Sequence, residues 1–196
     1  MALDRGILHH RHSGGGNRLI AQKIAGLNLG SRTRSVESFA NMDIDAHPGV
    51  DFVGDVSDLS RFSDGSIPEI FASHILEHFP HTKTLDVLKE WFRVIEPGGK
   101  LHVAVPDFER AAELYLSLGL SDWVNRFLMG DQEYKTAYHY NLFDEGKLTK
   151  LLKEAGFSDS FRVESFPIGE DYDCSNLAST HDGEPVSLNM IATKSL

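Results

Sequence analysis

The chain has 196 residues, 41% of them hydrophobic, and a formal net charge of -10. That is enough apolar material for one substantial core in one domain, and the acidic balance excludes a partner held mainly through phosphates, nucleic acid above all, because such binding needs clustered Lys and Arg. The single cysteine, Cys174, excludes an internal disulfide and a cysteine-built zinc site and fits a reducing compartment. No apolar run nears the ~20 residues of a membrane span, and the start Met-Ala-Leu-Asp-Arg lacks a signal peptide's apolar centre, so a soluble cytoplasmic protein is expected.

Residues 1–22 read as an N-terminal arm and 23–196 as a single domain. The arm carries His9, His10 and His12 followed by Gly14-Gly15-Gly16. A glycine-rich context offers no fixed ligand geometry, so no metal site is expected. Apolar runs at Ile24–Leu29, Ser38–Ile44 and Val50–Val53, each followed by Gly or Asp, suit buried parallel strands. The connection from Gly30 to Phe39 is short for a crossover, which predicts only a brief helix. A fourth strand runs from Ile67 to Ser73, with Pro68 at its start. A helix follows, with Leu85, Leu88, Phe92 and Ile95 on its apolar face and Trp91 also read as core, ended by Pro97-Gly98-Gly99.

Lys100–Val105 alternates as a fifth strand and stops at Pro106-Asp107, where Asp107 suits a helix cap. Two short helices are predicted between 107 and 130, broken at Gly119-Leu120-Ser121 and stopped at Gly130. The segment 131–141, with Tyr134, Tyr138, His139, Tyr140 and Asn141, has no period and reads as a loop over a site. Asp144 caps a further helix that carries Leu148, Leu151, Leu152 and Ala155, with Phe143 and Leu148 as a hydrophobic staple and Gly156 as its stop. Two last strands, 157–166 and 186–194, flank an acidic loop containing Asp171, Asp173, Asp182 and Glu184.

Leu27-Asn28-Leu29-Gly30-Ser31 at the first strand's end, Asp43-Ile44-Asp45, Gly54-Asp55-Val56-Ser57-Asp58, Ser73-His74-Ile75-Leu76-Glu77-His78 and Arg93-Val94-Ile95-Glu96-Pro97-Gly98-Gly99 occur in one order at workable spacing. Together they resemble the class I S-adenosylmethionine-dependent methyltransferases. The likeness extends to a small bacterial group, of the methyltransferase type 11 kind, that adds Val105-Pro106-Asp107-Phe108 and Tyr138-His139-Tyr140-Asn141. The resemblance spans residues 24–165. It implies an α/β, Rossmann-like three-layer sandwich on a seven-stranded, mostly parallel sheet with an antiparallel last strand.

It also implies S-adenosyl-L-methionine as cofactor, held by Gly30, Ser31, Asp43, Ile44, Asp55, Val56, Ser73 and His74. Each assignment has a physical counterpart. Glycine lets the backbone approach a ligand closely, Asp43 can accept from both ribose hydroxyls, and Asp55 can accept from the adenine amino group. One departure stands out: where the family carries a second glycine this chain has Arg32, whose side chain either crowds the methionine moiety or pairs with its carboxylate.

Methyl transfer asks the protein mainly to align a nucleophile behind the methyl group. A hydroxyl acceptor adds a need for a base, for which histidine is suited. His74, His78 and His139 are the candidate catalytic residues, and Asp107, His139 and Tyr140 the candidate acceptor contacts. The activity implied is O- or N-methylation of a small or carbohydrate-like polar acceptor, such as a glycan precursor, by a chain able to form a homodimer. The alternative is a catalytically silent cofactor-binding or partner-binding module of the same fold. A nicotinamide oxidoreductase would need a fuller glycine fingerprint than the chain has.

Overall fold

The computed structural model describes residues 24–36, 38–119, 122–134, 136–168 and 186–196. The histidine arm, Leu120-Ser121, Cys174 and the acidic loop therefore lie outside the described residues. Seven strands form one sheet: β1 (Gly26–Leu29), β2 (Phe39–Asp43), β3 (Phe52–Val53), β4 (Ile67–Ser73), β5 (Ile95–Pro106), β6 (Asp159–Val163) and β7 (Ser187–Thr193). Their order is β3-β2-β1-β4-β5-β7-β6. β7 pairs antiparallel with both β5 and β6, and all other pairings are parallel. This is the Rossmann-like sheet with one reversed strand that the sequence predicts. Four helices are described: α1 (Thr84–Val94), α2 (Phe108–Leu118), α3 (Asp122–Met129) and α4 (Glu145–Ala155). No described helix is long and apolar enough to cross a membrane.

Side chains alternate across the sheet with period two, and the two faces differ in kind. Leu27, Leu29, Met42, Ile70, Ala72, Leu101, Val103, Leu188 and Met190 point to one face, where they pack with α1 and α4 in a single apolar core. On the opposite face a smaller cluster of Val36, Phe71, Ala104, Phe166 and Ile191 shares space with buried polar groups. Asn28 Nδ2 donates to Asn41 Oδ1 at 2.9 Å, and His102 Nε2 meets Glu69 Oε2 at 2.9 Å. Burial pushes the His102 imidazole below its ordinary value of 6.5, against the opposing pull of Glu69.

Capping chemistry sets the helix ends. Asp144 Oδ1 accepts from Lys147 N at 2.7 Å, Phe143 and Leu148 are both fully buried as a staple requires, and Gly156 closes α4 in the left-handed region at φ 117°.

Three expectations change. Between β1 and β2 no helix forms among the described residues; Ser31–Arg34 is a turn closed by Arg34 N donating to Ser31 O, because too few residues remain to go up and back as a helix. The α1 stripe is rotated: Thr84, Val87, Leu88, Trp91 and Val94 are the buried positions, while Leu85 and Phe92 are partly buried at its edge. Trp91 displaces the predicted axis because its indole is fully buried and donates to Val56 O at 2.9 Å. Finally, α1 ends at Val94, before Pro97-Gly98-Gly99, and those residues already lie in β5. A register shift opposite Ile67–Glu69 accommodates them, and at Gly99 any Cβ would strike Pro68 O.

Candidate active site

The chain runs β1, β2, β3 outward on one side and resumes with β4 on the other side of β1, so strand order reverses between β1 and β4. Beyond the carboxyl ends of those strands opens a cleft of about 1090 Å³, where a doubly wound sheet places its ligand. One wall comes from the ends of β1, β2 and β3. The other comes from the segment after β4 and the loop 131–140.

On the first wall, Gly30 turns at φ 68°, and a Cβ there would strike the Ile75 side chain. Asp43 is buried; its Oδ2 accepts from Arg32 N at 2.7 Å and its Oδ1 from Asp45 N at 3.0 Å. Each carboxylate oxygen has a second lone pair, so the group is held in place by backbone and can still accept two hydroxyls. The Oγ atoms of Ser31 and Ser73 are buried in the cleft lining with no hydrogen-bond partner in the structure, a cost that a polar ligand would remove.

Ile44, 51% exposed, offers an apolar surface in the cleft. Asp55 is fixed in a tight turn, with Oδ1 accepting from Ser57 N at 2.8 Å and Ser57 Oγ at 2.7 Å. Val56 lines the cleft beside it. The Arg32 guanidinium stands 5.4 Å from the centre of the Tyr134 ring, a cation–π contact between the two walls.

The second wall is a cluster around Glu77, which is completely buried. His74, at the end of β4 in the left-handed region (φ 54°), places Nδ1 3.2 Å from Glu77 Oε1 and Nε2 2.8 Å from Ser187 Oγ. A non-glycine residue in this region is strained, and the two side-chain contacts help to hold it there. His78, in the 3₁₀ turn Leu76–His78, has its Nδ1 2.9 Å from Tyr138 O. His139 has its Nδ1 3.1 Å from Phe127 O and its Nε2 4.0 Å from Glu77 Oε1. The rings of His78 and His139 meet edge to face at 4.8 Å.

Burial alone would push the Glu77 carboxyl up, but the imidazoles of His74, His78 and His139 hold it below its ordinary value. Burial pushes His139 down, with Glu77 opposing. The loop bearing His139 is pinned where Tyr140 N donates to Glu77 O at 2.8 Å and His139 N to Met129 O at 3.0 Å. At Gly130 a Cβ would strike Ala137 O.

The structure thus gathers Gly30, Ser31, Asp43, Ile44, Asp55, Val56, Ser73, His74, His78, His139 and Tyr140 around one cleft. Asp107, predicted to orient an acceptor or a histidine, does not line it. Its Oδ1 caps α2 by accepting from Arg110 N at 3.3 Å, and its Oδ2 pairs with Arg162 on β6 at 2.8 Å, which turns the carboxylate toward the sheet's far edge. Ser187 carries no sequence signal; only the insertion of the reversed β7 beside β5 brings it to His74. Glu77 reads in sequence as a packing residue of the turn, and its place between three imidazoles depends on the loop returning from residue 131 onward.

The sheet order defines a doubly wound α/β protein, with the cleft at the reversal where such folds place a ligand. Residues 12–103 match the family described as a methyltransferase domain. No curated protein matches the chain.

Among solved structures, the chain is similar to a SAM-dependent methyltransferase from Methanosarcina mazei, with 21% identity over 87% of this chain and 92% of that one and a TM-score of 0.55. It is also similar to one from Archaeoglobus fulgidus, with 12% identity over 89% and 88% and a TM-score of 0.57. A third is the 1,6-didemethyltoxoflavin-N1-methyltransferase of Burkholderia thailandensis, determined with 1,6-didemethyltoxoflavin and S-adenosylhomocysteine bound, with 19% identity over 89% and 73% and a TM-score of 0.56. The family match spans just under half of the chain, and the likeness to these solved structures, at 21% identity or less, is one of fold.

Proposed function

We propose that the cleft binds S-adenosylmethionine along the β1–β3 wall and methylates a small, polar acceptor, carbohydrate-like or heterocyclic, held against the histidine wall. The observation that carries this reading is the fixed Asp43 carboxylate flanked by the buried, unpartnered hydroxyls of Ser31 and Ser73. A ligand rich in hydroxyl and amino groups satisfies all three. In this reading Asp43 takes the ribose hydroxyls, Ile44 covers one face of the adenine, and Asp55 with the Val56 backbone meets its edge. Gly30 and Ser31 approach the methionine portion. Arg32, drawn toward Tyr134, is left able to reach the cofactor's carboxylate.

The bound cofactor supplies an electrophilic methyl group on a sulfonium, and the chain's task is to place the acceptor. His78 and His139 each have Nδ1 beside a backbone carbonyl. That contact fixes the proton on Nδ1 and leaves Nε2 with a lone pair that can accept the acceptor's proton. Burial, which pushes His139 below its ordinary value against the pull of Glu77, favours the same role. Tyr140, with its ring exposed at the mouth, offers a stacking and hydrogen-bonding surface to a polar ring. The Burkholderia neighbour, whose acceptor is a small molecule, supports this scale of substrate.

Calorimetry with S-adenosylhomocysteine tests the cofactor half. The wild type should bind, and Asp43→Ala should lose about tenfold or more of its affinity, the ~1.4 kcal/mol of one lost charge-assisted interaction. No heat from the wild type at millimolar ligand would sink the reading. Binding without transfer to any polar acceptor would leave the silent module.

A further inference from the structure

We propose that Glu77, His78 and His139 form a binding site for a divalent transition-metal ion of the zinc class, with an open coordination position facing the cleft. One carboxylate oxygen and two imidazole nitrogens, drawn from the 3₁₀ turn and from the distant loop, all lie within 4.8 Å of one another. Bonds of about 2.0–2.2 Å to a tetrahedral ion would set such atoms roughly 3.3–3.6 Å apart. The set therefore closes on an ion with side-chain movements of about 1 Å.

Two independent features mark the cluster as a ligand set and not a packing accident. The Glu77 carboxylate is completely buried, yet neither oxygen has a hydrogen-bond partner of good geometry; His74 Nδ1 lies 3.2 Å from Oε1 as an ion-pair contact. Burial penalises such a carboxylate; the neighbouring imidazoles oppose that penalty, and a cation bound directly to it would oppose it further. In addition, both imidazoles are oriented from behind by backbone carbonyls, His78 by Tyr138 O and His139 by Phe127 O. This is the outer-shell arrangement that fixes a metal-binding histidine's tautomer and turns Nε2 toward the ion.

The other such carboxylate-histidine group among the described residues, Asp43, Asp45 and His47, lacks these features, since both Asp43 oxygens already accept backbone N–H groups. Two histidines and one carboxylate are a donor set for zinc or iron(II) that leaves room for exogenous oxygen ligands. Resting on the proposed methyl transfer, the inference assigns such an ion the acceptor's oxygen, whose proton it would make easier to lose to solvent; with the ion bound, His78 and His139 act as its ligands and not as the base. It would also staple the loop 131–141 to the segment after β4.

The test titrates the full chain with Zn2+ alone by calorimetry and with Co2+ by visible d–d absorption. A single ion should bind, raise the melting temperature, and lose at least about tenfold in affinity in both His78→Gln and Glu77→Gln. A triple variant with His9, His10 and His12 each changed to Ala should keep it. Wild-type affinity in both site variants, its loss in the arm variant, or no ion bound by the wild type would each overturn the site. His78 is only partly buried, so His78→Gln keeps the test open should Glu77→Gln fail to fold. S-adenosylhomocysteine binding, measured on the same preparations, separates the two readings: ion binding without cofactor binding leaves the site and removes the methyltransferase reading, and the converse does the reverse.

Discussion

The two walls of the cleft are built by different physics. The wall at the ends of β1–β3 is a set of strand ends: Gly30, Asp43 and Asp55 stand where parallel strands stop, and backbone N–H groups hold Asp43 while the Ser57 amide and hydroxyl hold Asp55. The histidine wall is a convergence of segments far apart in the chain, held by Glu77, by the Tyr138 carbonyl of the returning loop and the Phe127 carbonyl of α3, and by Ser187 on the reversed strand. Strand ends are positioned by the sheet and cost little beyond it. A convergent wall exists only while each contributing segment is in place, so it should be the more fragile of the two.

Trp91→Ala is the severest way to break the comparison. The indole is fully buried in the core beneath the wall at the ends of β1–β3 and donates to Val56 O, so truncation should cost about 3–5 kcal/mol of stability. It should also weaken S-adenosylhomocysteine binding through Val56. Urea unfolding and calorimetry check both, and a loss below ~1 kcal/mol would mean that the wall does not depend on this support.

Gly130→Ala acts on the other wall. At φ 77°, with Ala137 O in the way of a Cβ, it should cost about 1–3 kcal/mol and displace His139. Cofactor affinity should hold while transfer to an acceptor falls; equal loss of both would show that the walls are one unit.

The smallest effect comes from pH and concerns neither wall. His102, buried on the back of the sheet against Glu69 with Lys100 nearby, is held below 6.5. Its unfolded form takes up a proton that the folded form refuses. Stability from this group is therefore intact above pH 6.5 and declines as pH falls below it. Melting curves from pH 8 to 5 should show the decline, and His102→Gln should flatten it.

Much of the first wall is legible in the sequence, because strand ends are marked locally by apolar runs that stop at Gly or Asp. The Asp43 and Asp55 positions need only that rule. The rotation of α1 was not legible: leucines at helical spacing give a stripe, but the bulk of Trp91 and its bond to Val56 decide which side turns inward. Asp107 shows the converse. A capping residue was visible in Pro106-Asp107, but the pull of Arg162, 55 residues away, turned it from the cleft to the sheet edge.

The sequence by itself determined the strand segments, the caps of α2 and α4, and the acids at the strand ends of the first wall, since each depends on periodicity or on groups a few residues apart; the seven-stranded sheet followed from the family resemblance. Tertiary structure alone decided that Glu77 lies buried among three imidazoles, that Ser187 meets His74, and that Arg32 leans on Tyr134. These contacts join segments whose sequences carry no record of one another. They form because β7 inserts beside β5 in reverse and because the loop after α3 folds back onto the turn after β4.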